Sequence, residues 1–293
     1  MMVKKLSEIH IRDPYILTVP TDKKYYLYGT EGSTAWSGQP VGFDSYVSED
    51  LIHWDGPYPV FRPNPGFWSD HHYWAPEVYA FGEKYVMFAS FKADHVCRGT
   101  EALISDHPLG PFRPLGDRPL TPPDWECLDG TLYTDEDGRH WMVFCREWLQ
   151  VTDGEMYAVP LKPGLDAAEG EPKLLFRASD APWSKAGEQG QYVTDGPFLH
   201  KMASGELIML WSTGGAKGYT MGIARSTSGK VTGPWSQDPE PLFAEDGGHG
   251  MIFRDLNGHL RMTIHSPNVQ PLERPVIYEL AEENGRLRYV AKN

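Results

Sequence analysis

Four acidic residues and one histidine stand near the starts of five strand-like segments that lie far apart in the sequence. They are Asp13, Glu77, Asp129, Asp195 and His249. When carboxylates share one pocket they repel one another, so the pKa of at least one rises and the fold loses stability. Hydrolysis of a glycosidic bond needs such a set. One protonated acid serves the leaving oxygen while a second carboxylate activates water or attacks carbon.

The elements that must bring these residues together are short strands that repeat along the chain. Apolar segments preceded by turn residues begin at Tyr25, Lys84, His140, Glu206 and Leu260. Their spacing of roughly 50–65 residues is typical of β-propeller blades. Long runs with the helical period of apolar residues are not found in the sequence.

The repeat predicts an all-β fold, a five-bladed β-propeller with four-stranded antiparallel blades around a central channel. The blades are expected at 11–63, 70–121, 126–177, 190–244 and 247–290. No Pro-, Gly- or Ser-rich linker divides the chain, so residues 1–293 are predicted to form a single catalytic domain. The first strand of each blade lines the channel, and equivalent strand ends converge on one mouth. The five polar residues would therefore meet in one depression.

The charge and composition favour a soluble protein whose partner is a small oligosaccharide. The formal net charge of −13 disfavours binding to phosphate backbones, so no nucleic acid is expected. No apolar run approaches the ~20 residues of a membrane span, and the N-terminal segment lacks the apolar region of a signal peptide. A cytoplasmic location without membrane association is therefore expected, and the oligomeric state is left open.

Five motifs together resemble glycoside hydrolase family 43. They are Arg-Asp-Pro-Tyr-Ile from Arg12, Trp-Ala-Pro-Glu-Val from Trp74, Asp-Gly-Thr-Leu-Tyr from Asp129, Thr-Asp-Gly-Pro from Thr194 and Gly-His-Gly-Met-Ile-Phe from Gly248. The resemblance covers nearly the whole chain, in order. It implies a five-bladed propeller and an inverting mechanism, in a family of mainly β-xylosidases, α-L-arabinofuranosidases, arabinanases and exo-β-1,3-galactanases.

The resemblance assigns roles to three aspartates. Asp13 matches the general base that activates water, and Asp129 matches the aspartate that tunes and orients the acid. The family usually has a Glu-Gly-Pro acid where this chain has Asp195-Gly196-Pro197. An Asp carboxyl is one methylene shorter than that of Glu, so three hypotheses about the acid stay open. Asp195 is the acid in a reshaped pocket, or Glu147 at the end of a second strand replaces it. In the third hypothesis the protein has weak catalytic activity or none.

Other residues are candidates for sugar contacts. Trp74 and Trp148 are predicted to stack on a sugar ring, and His71 to lie in a substrate-facing loop. Glu77 is predicted to form hydrogen bonds at the pocket floor, and His265 to contact substrate from a strand end.

His249 has two interpretations. It resembles the family histidine near the channel axis, which in some members helps to hold calcium or another ion through water. The alternative is a hydrogen-bonding channel histidine, because calcium prefers oxygen ligands. No cofactor is expected to be required, with a structural calcium in the central channel as the candidate metal.

The predicted function is inverting hydrolysis of terminal pentosyl units, α-L-arabinofuranosyl or β-D-xylosyl, from oligosaccharides of plant polysaccharides. One alternative is an exo-β-1,3-galactanase-like or other propeller glycosidase. The other is a carbohydrate-binding propeller without catalysis, which would keep the aromatic residues and lose the acid.

Overall fold

Five four-stranded antiparallel sheets form a ring in the computed structural model, which describes residues 3–37 and 39–292. The protein is an all-β five-bladed β-propeller, as the sequence repeat predicts. Each blade is built from four consecutive strands, ordered from the channel outwards. Within the described part of the chain, no helix is long and apolar enough to cross a membrane.

The bounds of the strands follow the predicted blades closely. Blade 1 contains β1 (Ile11–Val19), β2 (Lys24–Glu31), β3 (Phe43–Ser48) and β4 (Asp55–Phe61). Blade 2 contains β5 (His71–Phe81), β6 (Lys84–Ala93), β7 (Val96–Ser105) and β8 (Arg113–Pro114). Blade 3 contains β9 (Cys127–Thr134), β10 (His140–Arg146), β11 (Glu155–Pro160) and β12 (Lys173–Arg177). Blade 4 contains β13 (Asp195–Lys201), β14 (Leu207–Gly215), β15 (Gly218–Ser226) and β16 (Trp235–Gln237). Blade 5 contains β17 (Gly248–Arg254), β18 (Leu260–Ser266), β19 (Arg274–Glu283) and β20 (Arg286–Lys292).

Within residues 3–37 and 39–292, helical structure is confined to three short segments. Helix α1 spans Trp148–Val151, and two 3₁₀ turns span Leu6–Glu8 and Ala178–Asp180.

The hydrophobic core lies between adjacent blades rather than inside one of them. Blades 3 and 4 pack through Trp211, whose ring centroid lies 5.1 Å from that of Trp183 and 5.3 Å from that of Phe176. The second strands are apolar on both faces, because each blade has a neighbour on either side. All of β14 from Leu207 to Thr213 is buried.

The ring closes where blade 1 meets blade 5. Arg12 at the start of β1 places Nη1 3.1 Å from Oε1 of Glu273, which is fully buried just before β19. His10 binds the other carboxylate oxygen of Glu273 at 3.1 Å. These contacts fix the start of β1, and therefore fix the backbone that carries Asp13.

A β-bulge recurs at the same place in all five first strands. The pairs before the slip in register are Arg12–Thr30, Trp74–Ser90, Leu128–Cys145, Asp195–Ser212 and Gly248–His265. The next residue of each first strand has a positive φ, and we call these five the bulge residues: Asp13 (52°), Ala75 (46°), Asp129 (55°), Gly196 (53°) and His249 (49°). A bulge re-aims side chains next to functional sites. Here it directs the bulge residues towards one end of the channel.

The bulges correct the alignment expected from the sequence. Asp13, Asp129 and His249 occupy equivalent positions, but Glu77 lies two residues after its bulge residue Ala75. Asp195 lies one residue before its own. The expectation that all five polar residues occupy comparable positions is therefore wrong for two of them, because the extra residue of each bulge cannot be located from strand-like sequence alone.

Candidate active site

A small pocket with about 40 Å³ of accessible volume opens at the bulge end of the channel. It is lined by Arg12, Asp13, Thr30, Ala35, Trp36, Trp74, Leu128, Asp129, Asp195 and His249. Five of the residues predicted from the sequence are in this set. They come from the first strands of all five blades, so the fold brings together groups that are far apart in the chain.

A repeated hydrogen bond holds the bulge residues in place. In four blades the side chain that pairs before the bulge accepts a hydrogen bond from the bulge N–H of the following blade. The pairs are Thr30 with Ala75 (2.7 Å), Ser90 with Asp129 (2.8 Å), Ser212 with His249 (2.9 Å) and His265 with Asp13 (3.2 Å). Blade 3 has Cys145 at this position, and there the N–H of Gly196 donates to Oδ2 of Asp129 at 2.9 Å. These bonds stabilise the otherwise unfavourable positive φ of non-glycine residues.

Asp13 is held as a carboxylate. Its Oδ1 lies 3.1 Å from Nδ1 of His249, and its Oδ2 accepts a hydrogen bond from Thr30 at 2.6 Å. Burial alone would raise the pKa of Asp13, but the charge and hydrogen bond of His249, with the charge of Arg12, lower this pKa well below its usual range. A buried carboxylate that stays ionised can accept a proton from water.

His249 carries the positive charge that keeps Asp13 ionised. Its Nδ1 also lies 3.7 Å from Oδ2 of Asp129. Burial lowers the pKa of His249, but the carboxylates of Asp13 and Asp129 outweigh that effect and raise the pKa to about 10. The imidazole is therefore protonated at neutral pH and lies between the carboxyl groups of Asp13 and Asp129.

The residues around His249 do not fit direct ligation of a metal. In the residues that the structure describes, no three His, Cys, Asp or Glu side chains are arranged to hold an ion. The Nδ1 of His249 is already directed at Asp13. A calcium ion held through water stays a prediction, and no step below depends on it.

Asp129 and Asp195 are the two carboxyls that favour the protonated form. Burial raises the pKa of Asp129, His249 opposes the rise, and the charge of Asp195 adds to it. Burial likewise raises the pKa of Asp195, against the opposing effects of His249 and a hydrogen bond from Tyr219. Because both carboxyls are buried in one pocket, together they hold a proton at a pH where an isolated aspartate would not.

Glu147, the alternative acid, lies outside the pocket lining. Its Oε1 accepts a hydrogen bond from Nε of Arg98 at 2.7 Å, and both side chains are about 5% exposed. Burial raises the pKa of Glu147, but the charge of Arg98 opposes this. Because an ion-paired carboxylate is a poor proton donor, the geometry favours Asp195 over Glu147 as the acid.

Trp74 lines the pocket, and its ring already contacts two side chains. The guanidinium of Arg98 lies 3.8 Å from its ring centroid, and the ring of His72 stacks at 4.6 Å with an interplanar angle of 19°. The indole N–H of Trp74 donates to the carbonyl of Ala35 at 2.6 Å. Trp74 therefore supports the neighbouring loop.

Trp36 is the pocket aromatic that the sequence analysis missed. It follows β2 in a loop, is 51% exposed, and meets the edge of Trp74 at 5.3 Å between centroids. The guanidinium of Arg12 lies 4.9 Å from the ring. No repeat position marks Trp36, so only the fold places it beside Asp13. An exposed indole at a pocket wall can stack on a sugar ring.

Glu77 lies in the channel below the pocket. Its carboxylate is hydrogen-bonded to the hydroxyl of Tyr79, which in turn lies 2.9 Å from that of Thr131. Burial raises the pKa of Glu77 to about 7. The structure therefore surrounds Glu77 with protein groups and does not bring it to the pocket lining.

Three further predicted residues lie outside the lining. His71 is at the start of β5 with its Nδ1 2.6 Å from Oδ1 of Asp70, and Trp148 begins helix α1. His265 is fully buried behind Asp13. Since Nδ1 of His265 accepts the N–H of Asp13, its Nε2 donates to Oδ1 of Asn268 at 2.9 Å. Burial and the charge of Arg12 lower the pKa of His265 to about 4, which keeps the ring neutral.

A five-bladed propeller with several carboxyl groups in one small pocket is the arrangement expected of a β-propeller glycosidase. The model of the family "Glycosyl hydrolases family 43" matches residues 6–282. The chain belongs to this family and is a glycoside hydrolase, as its motifs predict.

Individual relatives are similar over most of the chain. The structure resembles that of an endo-arabinase from Bacteroides thetaiotaomicron VPI-5482, with a TM-score of 0.89 and 42% identity, over 96% of this chain and 98% of that one. An extracellular exo-α-(1→5)-L-arabinofuranosidase from Streptomyces chartreusis is 28% identical over 256 residues, 79% of this chain and 70% of that protein. The β-D-galactofuranosidase xynD from Aspergillus niger is 25% identical over 248 residues, 78% of this chain and 66% of that protein.

Proposed function

We propose that this enzyme releases terminal pentosyl units from oligosaccharides with inversion of configuration. The sugar to test first is α-L-arabinofuranosyl, and the second is β-D-xylosyl. The observation that carries the proposal is the pairing of unlike carboxyls in one pocket: Asp13 is held ionised by His249, while burial favours a proton on Asp195. A pair of groups whose pKa values are pushed apart is what acid and base catalysis requires.

The reaction follows from these roles. Asp13 accepts a proton from water, and the water oxygen forms a bond to the anomeric carbon. The bond between that carbon and the glycosidic oxygen breaks, its electron pair stays on the oxygen, and Asp195 donates a proton there. Asp129 accepts the N–H of Gly196 and so orients the strand that carries Asp195. Proton exchange with solvent restores Asp13 and Asp195.

The size of the pocket supports action at a chain end. The pocket is small and the first strands of all five blades line it, which suits one terminal sugar with its leaving group at the mouth. Two similar proteins bear names that refer to arabinose-containing substrates, which supports arabinofuranosyl as the sugar.

Cleavage within an arabinan chain is the second candidate. The observation that favours it is the 42% identity to a protein described as an endo-arabinase. An endo-acting enzyme needs a cleft that holds sugars on both sides of the bond, whereas an exo-acting enzyme needs a pocket closed on one side.

The test is hydrolysis of p-nitrophenyl α-L-arabinofuranoside, β-D-xyloside and β-D-galactoside, with linear arabino-oligosaccharides analysed in parallel. Asp13→Ala should reduce the activity by about 10²- to 10⁴-fold, and Asp137→Ala in an exposed turn should keep it. Release of monosaccharide from the first minutes supports the proposal. Early oligosaccharide products would favour the second candidate, and turnover by Asp13→Ala equal to wild type would overturn both.

A further inference from the structure

Tyr219 is a buried residue whose hydroxyl reaches the acid side of the pocket. It lies on β15, is 8% exposed, and donates a hydrogen bond to Oδ2 of Asp195 at 3.0 Å. Across residues 3–37 and 39–292, no other group donates a hydrogen bond to the Asp195 carboxyl. Burial raises the pKa of Tyr219 well above its usual value, so the hydroxyl keeps its proton and remains a donor.

The ring of Tyr219 is fixed against the base side of the pocket. It stacks on the ring of His265 with centroids 5.4 Å apart and an interplanar angle of 17°. His265 in turn accepts the N–H of Asp13. One stacked pair therefore touches both the base and the acid: the imidazole holds the backbone of Asp13, and the phenol holds the carboxyl of Asp195.

The backbone of Tyr219 is anchored as well. Its N–H donates to Oδ1 of Asp246 at 3.1 Å, and its carbonyl accepts from Gly247 at 2.9 Å. Asp246 also binds the N–H of Asn268 through Oδ2 at 3.1 Å. The loops before β17 and after β18 therefore fix the backbone of Tyr219. Its hydroxyl has little freedom to move away from Asp195.

Asp195 needs such an anchor, because its carboxyl is one methylene shorter than the glutamate usual at this position in the family. A bond to Oδ2 leaves Oδ1 as the oxygen that carries the proton. We infer that Tyr219 is a positioning residue that orients Asp195, so that Oδ1 of Asp195 delivers the proton to the glycosidic oxygen. This inference rests on the proposed function, in which Asp195 is the acid.

The inference predicts an effect that depends on the leaving group. A poor leaving group must be protonated as the glycosidic bond breaks, whereas a good leaving group hardly needs the proton. An acid in the wrong orientation therefore slows the hydrolysis of substrates with poor leaving groups and has little effect on the others. Misplacement by about 1 Å is expected to reduce the rate by about 10²-fold. Donation from the phenol also favours the ionised form of Asp195, so its loss raises the pKa of Asp195 and moves the basic limb of the pH profile upwards.

The experiment compares Tyr219→Phe with Tyr157→Phe. Tyr157 is the matched control, because its hydroxyl also donates to a buried carboxylate, Oε2 of Glu155, at 3.0 Å in another blade. For Tyr219→Phe we expect kcat/KM to fall by about 30- to 100-fold on an arabino-oligosaccharide and less than about fivefold on the p-nitrophenyl glycoside. Tyr157→Phe should change neither by more than about twofold, as a change far from the pocket should.

A double-mutant cycle with Asp195→Asn completes the test. If Tyr219 acts through Asp195, Tyr219→Phe adds no further loss once the acid is gone. Equal losses on both substrates, or additive losses in the cycle, would overturn the positioning role. Should Tyr219→Phe fail to fold, 3-fluorotyrosine at position 219 keeps the ring and strengthens the donor. The basic limb should then move to lower pH, and an unmoved limb would refute the inference. A wild-type enzyme inactive on every pentoside would overturn the proposed function instead.

Discussion

All five blades have the same bulge in their first strands, but the side chains at the bulge divide the blades into two groups. Blades 1, 3 and 5 form the first group, and blades 2 and 4 form the second. In the first group the bulge residues are Asp13, Asp129 and His249, which form one charged cluster. In the second group they are Ala75 and Gly196, which add no polar side chain. In both groups the bulge N–H donates a hydrogen bond to the preceding blade, although that of Gly196 donates to the carboxyl of Asp129 instead of a side chain on a second strand.

The comparison separates what the fold supplies from what the side chains supply. The bulge residue of every blade lies at the mouth of the channel. In three blades this residue has an ionisable side chain, and in the other two it is small and leaves room for neighbouring side chains. A Cβ added at Gly196 would lie 2.7 Å from Cγ of His249, so glycine there makes room for the imidazole. The pocket therefore depends on small residues in two blades as much as on charged residues in the other three.

Removing the charge of a bulge residue in blades 1, 3 or 5 should reduce the activity most. Asp129→Asn keeps the shape but gives up the carboxylate that faces His249 and supports Asp195. We expect kcat to fall by about 10²- to 10⁴-fold, the range of a group in acid–base catalysis. Steady-state kinetics on the best substrate measures this. The control is Ala75→Gly, which changes the uncharged bulge residue of blade 2. If kcat fell as much in Ala75→Gly as in Asp129→Asn, the charge of the bulge residue would not explain the effect.

Filling the space in the second group should have the next largest effect. Gly196→Ala places a methyl group against His249 at a φ of 53°, so either the ring or the strand must move. We expect kcat to fall by about 10²-fold and the free energy of unfolding to fall by about 1–3 kcal/mol. Denaturant unfolding and kinetics on the same preparation test both. Unchanged kinetics would mean that the pocket does not need this space.

The charge of His249 should set the acid limb of the pH profile. His249 lowers the pKa of Asp13, so wild-type Asp13 loses its charge only well below the usual range. In His249→Asn burial remains and the opposing charge is gone, so the pKa of Asp13 rises and kcat/KM is lost at a higher pH. We expect the acid limb to move upwards by about one unit or more. A limb that stays in place would show that His249 does not control Asp13.

Trp36 should give the smallest effect, because it belongs to neither group of bulge residues. Trp36→Ala removes the exposed indole, and we expect KM to rise by about three- to tenfold with little change in kcat, as for the loss of an aromatic contact. Trp148→Ala is the comparison, since Trp148 lies outside the pocket lining. A larger rise in KM for Trp148→Ala would reverse the assignment.

The fold and the charged bulges could be predicted from the sequence because their signals are local. Strand-like segments with turns repeat along the chain, and Asp13, Asp129 and His249 each lie in a short motif at a strand start. Glu77 and Asp195 were aligned with them wrongly, because a bulge inserts one residue that the sequence does not mark. For Glu77 the shift of two residues is enough to leave it in the channel.

The remaining parts of the site depend on contacts between distant elements. Trp74 is predicted to stack on a sugar, and in the fold its ring also contacts Arg98 on β7 and His72. Tyr219 reaches Asp195 from the third strand of its blade. Trp36 reaches Trp74 at the pocket wall from a loop. Neither residue stands at a position that repeats from blade to blade. Side chains that act across blades leave no pattern in the sequence.

In the proposed mechanism, Asp13 activates water and does not itself attack the sugar. Proton NMR of the first product released from an aryl α-L-arabinofuranoside tests it directly, before the anomers equilibrate. Attack by water on the face opposite the leaving group predicts that β-L-arabinofuranose appears first. If the α anomer appears first, configuration is retained, a carboxylate has formed a covalent intermediate, and the roles assigned to Asp13 and Asp195 are wrong.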